Sequence, residues 1–175
     1  MNYAAIKEHD VANGPGVRVS LYVSGCTHHC KDCFNQETWD FNYGSYFDKS
    51  AEDRILKALE PSYIRGFSLL GGEPFEPENQ KVLVGVLRHV RESYPQKKIW
   101  CYSGYLLDED MLSGKLGDPK VTEEMLSYID VLVDGEFHWQ EKDLNLRFKG
   151  SHNQRIIAVP ETLAQKSIVL WDEKE

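Results

Sequence analysis

The chain has 175 residues, 41% of them hydrophobic, enough to bury one core and too few to demand a second domain. A formal net charge of −8 and a pI near 5.3 disfavour general affinity for nucleic-acid phosphates or an anionic membrane surface. No apolar run approaches the roughly 20 residues that span a bilayer, and the opening stretch, with Lys7, Glu8 and Asp10, does not read as a signal peptide, so the expected compartment is cytoplasmic.

Apolar, β-branched runs alternate with helical stretches along the chain. Val17–Val23 reads as a first strand, preceded by the turn sequence Asn13-Gly14-Pro15-Gly16 and followed by a cysteine-rich loop. Residues 48–59 read as a helix with Asp48 as its N-cap. Residues 66–70 read as a second strand and 71–77 as a turn. The clearest helix follows, with Val82, Leu83, Val86, Leu87 and Val90 at helical spacing against Lys81, Arg88 and Arg91. Lys98–Tyr102 is expected as a third strand, 122–128 as a short helix, Val131–Asp134 as a fourth strand and 155–159 as a fifth. Residues 168–175 end in an acidic stretch expected to sit in solvent.

Strands alternating with helices imply parallel pairing through right-handed crossovers, hence an α/β class in a single domain spanning 1–175. A complete eight-unit βα barrel needs about 250 residues, which leaves an incomplete barrel or an open doubly wound sheet. Both place functional residues at the carboxyl ends of strands, where the unusual sequence falls: the cysteine loop, Gly71-Gly72-Glu73-Pro74, and the stretch from Cys101 to Tyr105.

Three of the four cysteines, Cys26, Cys30 and Cys33, lie within eight residues. In a reducing compartment such clustered thiols hold metal rather than disulfides. Three thiolates can hold three corners of a four-iron cluster and leave the fourth iron open, and an open metal position is where chemistry happens. Structural zinc is the competing reading. It would need a fourth ligand from His28, His29 or Cys101, and no second Cys-x-x-Cys or His pair at finger spacing accompanies the loop. His28 and His29 are expected to face solvent, and Cys101 to be an ordinary buried cysteine.

Cys26-x3-Cys30-x2-Cys33 followed by Gly71-Gly72-Glu73-Pro74 resembles the radical S-adenosylmethionine superfamily. With Arg18, Ser24-Gly25-Cys26, Phe34-Asn35, Trp39, Ser103-Gly104-Tyr105, Val133-Asp134-Gly135 and Arg147-x2-Gly150-Ser151-x-Asn153-Gln154, the chain resembles the activating proteins of anaerobic ribonucleoside-triphosphate reductase. That resemblance implies an incomplete parallel βα barrel of the radical S-adenosylmethionine type. It also implies an oxidoreductase in which Cys26, Cys30 and Cys33 bind a [4Fe–4S] cluster. Reductive cleavage of S-adenosylmethionine there would yield a 5′-deoxyadenosyl radical that generates a glycyl radical on the reductase. The implied contacts to S-adenosylmethionine are Gly71, Gly72 and Glu73 for the methionyl group, and the backbone around Asp32, Cys33 and Phe34 for the adenine. Many members carry an aromatic residue where this chain has Asp32, leaving Phe34 to supply apolar surface.

The implied partners are the catalytic subunit of the reductase and an electron donor such as a flavodoxin, with no nucleic acid and no membrane. A homodimer is compatible with the sequence but supported by no pattern. Arg18 and Arg147 are candidates to face the cofactor carboxylate or the partner, although such arginines are more often solvated. Asn153 and Gln154 could bond backbone, cofactor or an inserted glycyl loop. Competing activities are an activase of pyruvate formate-lyase or another glycyl-radical enzyme, a radical enzyme acting on a small molecule, and a non-catalytic zinc-binding or electron-transfer protein.

Overall fold

The computed structural model describes residues 1–172. In chain order the elements are β1 (Asn2–Asp10), β2 (Val17–Val23), β3 (Ser45–Tyr46), α1 (Lys49–Leu59), β4 (Ile64–Gly71), α2 (Pro77–Ser93), β5 (Lys98–Tyr102), α3 (Pro119–Tyr128), β6 (Val131–Asp134), β7 (Arg155–Ala158) and α4 (Val159–Gln165). The strands form one sheet in the order β3-β1-β2-β4-β5-β6-β7. β2, β4, β5 and β6 run parallel, as α/β alternation requires, with Val19 opposite Phe67, Leu69 opposite Cys101, and Cys101 opposite Leu132.

Side chains alternate across a strand, so each central strand offers one set to either face. Val19, Leu21, Val23, Phe67, Leu69, Ile99, Cys101 and Leu132 enter the main core, together with Ala51, Ile55 and Leu59 of α1, Leu83, Val86, Leu87 and Val90 of α2, and Met125 and Leu126 of α3. The helices therefore cover one face. The opposite set is different: Trp100, Val131 and Val133 form a small second cluster with Tyr102, Phe148, Ile156 and Trp171, and Arg18, Ser20 and Ser68 bring buried polar groups. α1 begins at the expected N-cap, where the Asp48 carboxylate accepts the Ala51 N–H at 2.9 Å. Pro77 opens α2 at a position where its missing N–H costs nothing.

Besides the short β3 and α4, which the sequence did not show, three further features differ from the sequence expectations. β1, which pairs antiparallel with β2, was not expected: its sequence NYAAIKEHD is polar, and only Ile6 and Asp10 are buried, so the backbone ladder rather than an apolar pattern holds it. β7 runs antiparallel to β6 because no α-helix separates the two, and a loop folding back without a crossover returns the chain in the opposite direction. Within the expected solvent tail, Ile168 packs against the main core, Trp171 packs on Trp100 at 4.9 Å between ring centroids, and the Trp171 N–H donates to the Ile156 carbonyl at 2.9 Å. Leu170 and Asp172 are exposed, and residues 173–175 lie outside the described residues.

Candidate metal centre

The parallel strands end on the same side of the sheet, and the loops that follow β2, β4, β5 and β6 meet there. The cysteine loop leaves β2 at Ser24, and backbone hydrogen bonds tie its root. Gly25 N–H donates to the Thr38 carbonyl at 2.8 Å, Cys26 N–H to the Trp39 carbonyl at 3.2 Å, and Glu73 N–H to the Gly25 carbonyl at 2.8 Å. So close an approach needs glycine at position 72, where a Cβ would stand 2.5 Å from the Gly25 carbonyl oxygen. Further along, Thr27 donates its N–H at 2.8 Å and its hydroxyl at 2.6 Å to Glu76, beside the start of α2. His29 and Asp32 adopt left-handed backbone, which lets the loop double back, and Cys33 N–H closes a turn on the Cys30 carbonyl at 3.2 Å.

Cys26, Cys30 and Cys33 are free thiols in the wall of one cavity of about 440 Å³. Phe34, Gly71, Gly72 and Glu73 line the same cavity; Asp32 does not, and its side chain is exposed. Cys101 is fully buried in the main core on the other face of the sheet. Burial pushes the Cys26 thiol up to about 12 and raises Cys30 as well. Both are therefore protonated at neutral pH without metal, and metal binding displaces those protons.

Glu73 is wholly buried, and its carboxylate is engaged by this chain's own donors. Oε1 accepts from Phe75 N–H and the Ser103 hydroxyl, both at 2.8 Å, and Oε2 from Gly104 N–H at 2.7 Å. It joins the ends of β4 and β5. His28 departs from its expected solvent-facing position, with a side chain only 9% exposed. Its Nε2 lies 3.2 Å from Glu73 Oε2, its Nδ1 lies 2.7 Å from Glu136 Oε1, and its ring stands 4.3 Å from that of Tyr105. Burial would lower its pKa, but the hydrogen bonds and charges of Glu73 and Glu136 outweigh that and raise it to about 9.

Arg18 is also not solvated. It is buried, donates to Ser68 Oγ at 2.7 Å and to the carbonyls of Phe67 at 2.9 Å and Lys98 at 2.7 Å, and lines a separate cavity of about 590 Å³ at the opposite ends of the strands. Burial lowers its pKa to about 10. Arg147 is exposed, with its guanidinium 4.9 Å from the Phe148 ring centroid. Gln154 lines the cysteine cavity and organises the loop after β6: its amide donates to the Gly135 carbonyl at 2.9 Å and accepts from Gly150 N–H at 2.8 Å. Asn153 donates to the Glu136 carbonyl at 2.8 Å.

That loop also places Phe137, Leu144, Leu146, Phe148 and Lys149 on the cavity wall, and Tyr102 enters from β5 with a buried hydroxyl that has no hydrogen-bond partner. None of these six was singled out as a site residue from the sequence. The strand-end rule pointed at the neighbourhood of Tyr102, but the loop between β6 and β7 carries no periodicity that would show which side chains turn inward.

Three soft thiol donors around one cavity, flanked by Gly71 and Gly72, fit a [4Fe–4S] cluster with room for a ligand beside it. Among the described residues, no three His, Cys, Asp or Glu side chains converge on one point as a single zinc ion requires. A cluster asks instead that each thiolate reach a different corner.

Fold and donor set thus define a small α/β protein built to carry one iron–sulfur cluster, and a family described as a 4Fe-4S single cluster domain matches residues 12–157. Proteins named anaerobic ribonucleoside-triphosphate reductase-activating protein match over nearly their whole length. The one from Vibrio cholerae is 42% identical over 158 residues, 89% of this chain and 97% of its own. That from Escherichia coli K12 is 40% identical over 156 residues, 88% of this chain and 96% of its own, and that from Enterobacteria phage T4 is 38% identical over 158 residues, 89% and 93%. The chain belongs to this family of reductase-activating proteins.

Proposed function

We propose that the protein activates an anaerobic ribonucleoside-triphosphate reductase by installing a glycyl radical on its catalytic subunit. The observation that carries this reading is the gathering of Cys26, Cys30 and Cys33 with the strand-end glycines around one cavity, in a chain whose relatives bear that activity in their names. When bound, the [4Fe–4S] cluster supplies the electron that cleaves S-adenosylmethionine, and the 5′-deoxyadenosyl radical released takes a hydrogen atom from a glycine of the reductase.

The chain's own part is to bind, orient and shield. Cys26, Cys30 and Cys33 would hold the cluster and leave a position on it for S-adenosylmethionine. Gly71 and Gly72 bring bare backbone to the methionyl end, while Glu73 holds that turn in place through Ser103 and Gly104. The backbone around Asp32, Cys33 and Phe34 faces the adenine, with Phe34 as the apolar surface. Phe137, Leu146 and Phe148 exclude water from a radical that would otherwise attack bystander C–H bonds. Helices on one sheet face only, with the cavity on the other, support an incomplete barrel of the radical S-adenosylmethionine type. A flavodoxin-like donor supplies the electron, and the compartment is cytoplasmic.

The test is to reconstitute the protein without oxygen, reduce it with S-adenosylmethionine and a candidate reductase, and look for a glycyl radical by electron paramagnetic resonance. Cys26→Ala, Cys30→Ala and Cys33→Ala should each abolish 5′-deoxyadenosine production, whereas Cys101→Ala should retain it. A protein that gathers no iron, or whose cluster is held by protein at all four corners, would overturn the reading.

A further inference from the structure

The cysteine loop is anchored at its root by backbone hydrogen bonds and by Thr27 on Glu76, and farther out His29 stacks on Trp39 and Lys31 lies over Trp139. His28, two residues beyond the first cysteine and two before the second, meets three neighbouring loops at once. Nε2 lies 3.2 Å from Glu73 Oε2 in the loop after β4, and Nδ1 lies 2.7 Å from Glu136 Oε1 in the loop after β6. The ring stands against Tyr105 in the loop after β5, and the absence of a side chain at Gly104 makes room for it: a Cβ there would come within 2.7 Å of the imidazole. Glu73 is itself immobilised by three donors other than His28. The Nδ1 contact to Glu136 is a hydrogen bond, and the Nε2 approach to Glu73 is a close polar contact without hydrogen-bond geometry.

We propose that His28 is a positioning residue that fixes the cysteine loop to the ends of β4, β5 and β6, and so holds Cys26, Cys30 and Cys33 over the cavity that Gly71 and Gly72 also line. The proposal rests on the iron–sulfur reading above and goes beyond it in giving His28, through Glu73 and Glu136, an outer role in that site. Loss of an outer partner that orients metal ligands typically weakens metal binding by about 10- to 100-fold.

The experiment compares wild type, His28→Ala, His28→Gln and Glu136→Gln after anaerobic reconstitution. It reads iron retained against a chelator, the electron paramagnetic resonance spectrum of the reduced cluster with and without S-adenosylmethionine, and the unfolding midpoint of the metal-free protein. His28→Ala should release iron roughly 10-fold or more faster or further than wild type, with an altered spectrum and a weaker response to S-adenosylmethionine, while the metal-free midpoint changes little. His28→Gln, whose amide can still reach Glu73, should recover part of the loss, and Glu136→Gln should fall between. Wild-type iron retention and spectrum in His28→Ala would overturn the proposal, as would losses that only track the metal-free midpoint. If His28→Ala does not fold, the other two variants decide on the same readouts. A wild-type protein that forms no four-iron cluster would instead sink the reading beneath it.

Discussion

Arg155 shows how much a single side chain decides at the end of β6. Its Nε donates to Asp134 Oδ1 at 2.9 Å and its Nη2 to Asp134 Oδ2 at 2.6 Å, which neutralises a carboxylate with no exposure at all; the same Nη2 reaches Asp108 Oδ1 at 2.8 Å. Hydrogen bonding to this guanidinium holds Asp108 below its ordinary 3.8. A lowered native pKa means stability that is complete above the unfolded value and is lost as pH falls through the native one. Wild type should therefore lose more stability than Asp108→Asn between about pH 5 and pH 2 when urea midpoints are followed. Because Asp108 is 43% exposed, screening limits the difference to about 1 kcal/mol or less. Equal pH dependence in the two proteins would contradict this assignment. Among single residues, the three clustered cysteines were legible from their spacing. The burial of Arg18 and His28 was not, because the carboxylates that meet His28 lie 45 or more residues away, and the Ser68 hydroxyl and the Phe67 and Lys98 carbonyls that receive Arg18 lie 49 or more away.

At the scale of elements, helices with strong periodicity were readable and edge strands were not. α2 carries its apolar stripe in sequence and buries it as Leu83, Val86, Leu87 and Val90. β1 carries no comparable stripe, and its place depends on the free edge that β2 presents. The turn after β4 marks a different limit, since two glycines and a proline signal a bend but not what passes beside it. Gly72 packs against the Gly25 and Thr38 carbonyls, where a Cβ would lie at 2.5 and 2.9 Å. Both obstacles are backbone, so Gly72→Ala must displace the root of the cysteine loop, at a cost of about 1–3 kcal/mol by the measure of overpacked interiors. The variant should unfold at lower denaturant and hold less iron after reconstitution. Unchanged stability together with full iron content would show that the two loops are not packed as described.

Over the whole molecule, the two faces of the sheet do different work. The helix-covered face supplies the apolar core, and the other keeps polar and aromatic side chains around two cavities. The C-terminal segment belongs to this second face: Trp171 meets Trp100 at 4.9 Å and Phe148 at 6.3 Å, and so links the tail to the loop over the cysteine cavity. Trp171→Ala should destabilise the protein by about 2 kcal/mol in chemical denaturation, below the ~3–5 kcal/mol of a fully buried aromatic because Trp171 is half-buried. A change within experimental error would mean that the tail contributes nothing to this cluster.

The sequence by itself determined the α/β class, the main helices, the central strands and the three-cysteine loop, because periodicity, caps and ligand spacing are local properties of the chain. Only the tertiary structure decided that β7 returns antiparallel, that His28 stands between Glu73 and Glu136, and which side chains of the loop after β6 face the cavity. Those outcomes depend on which distant backbone and charge come within hydrogen-bonding reach, and that proximity exists only once the sheet has assembled.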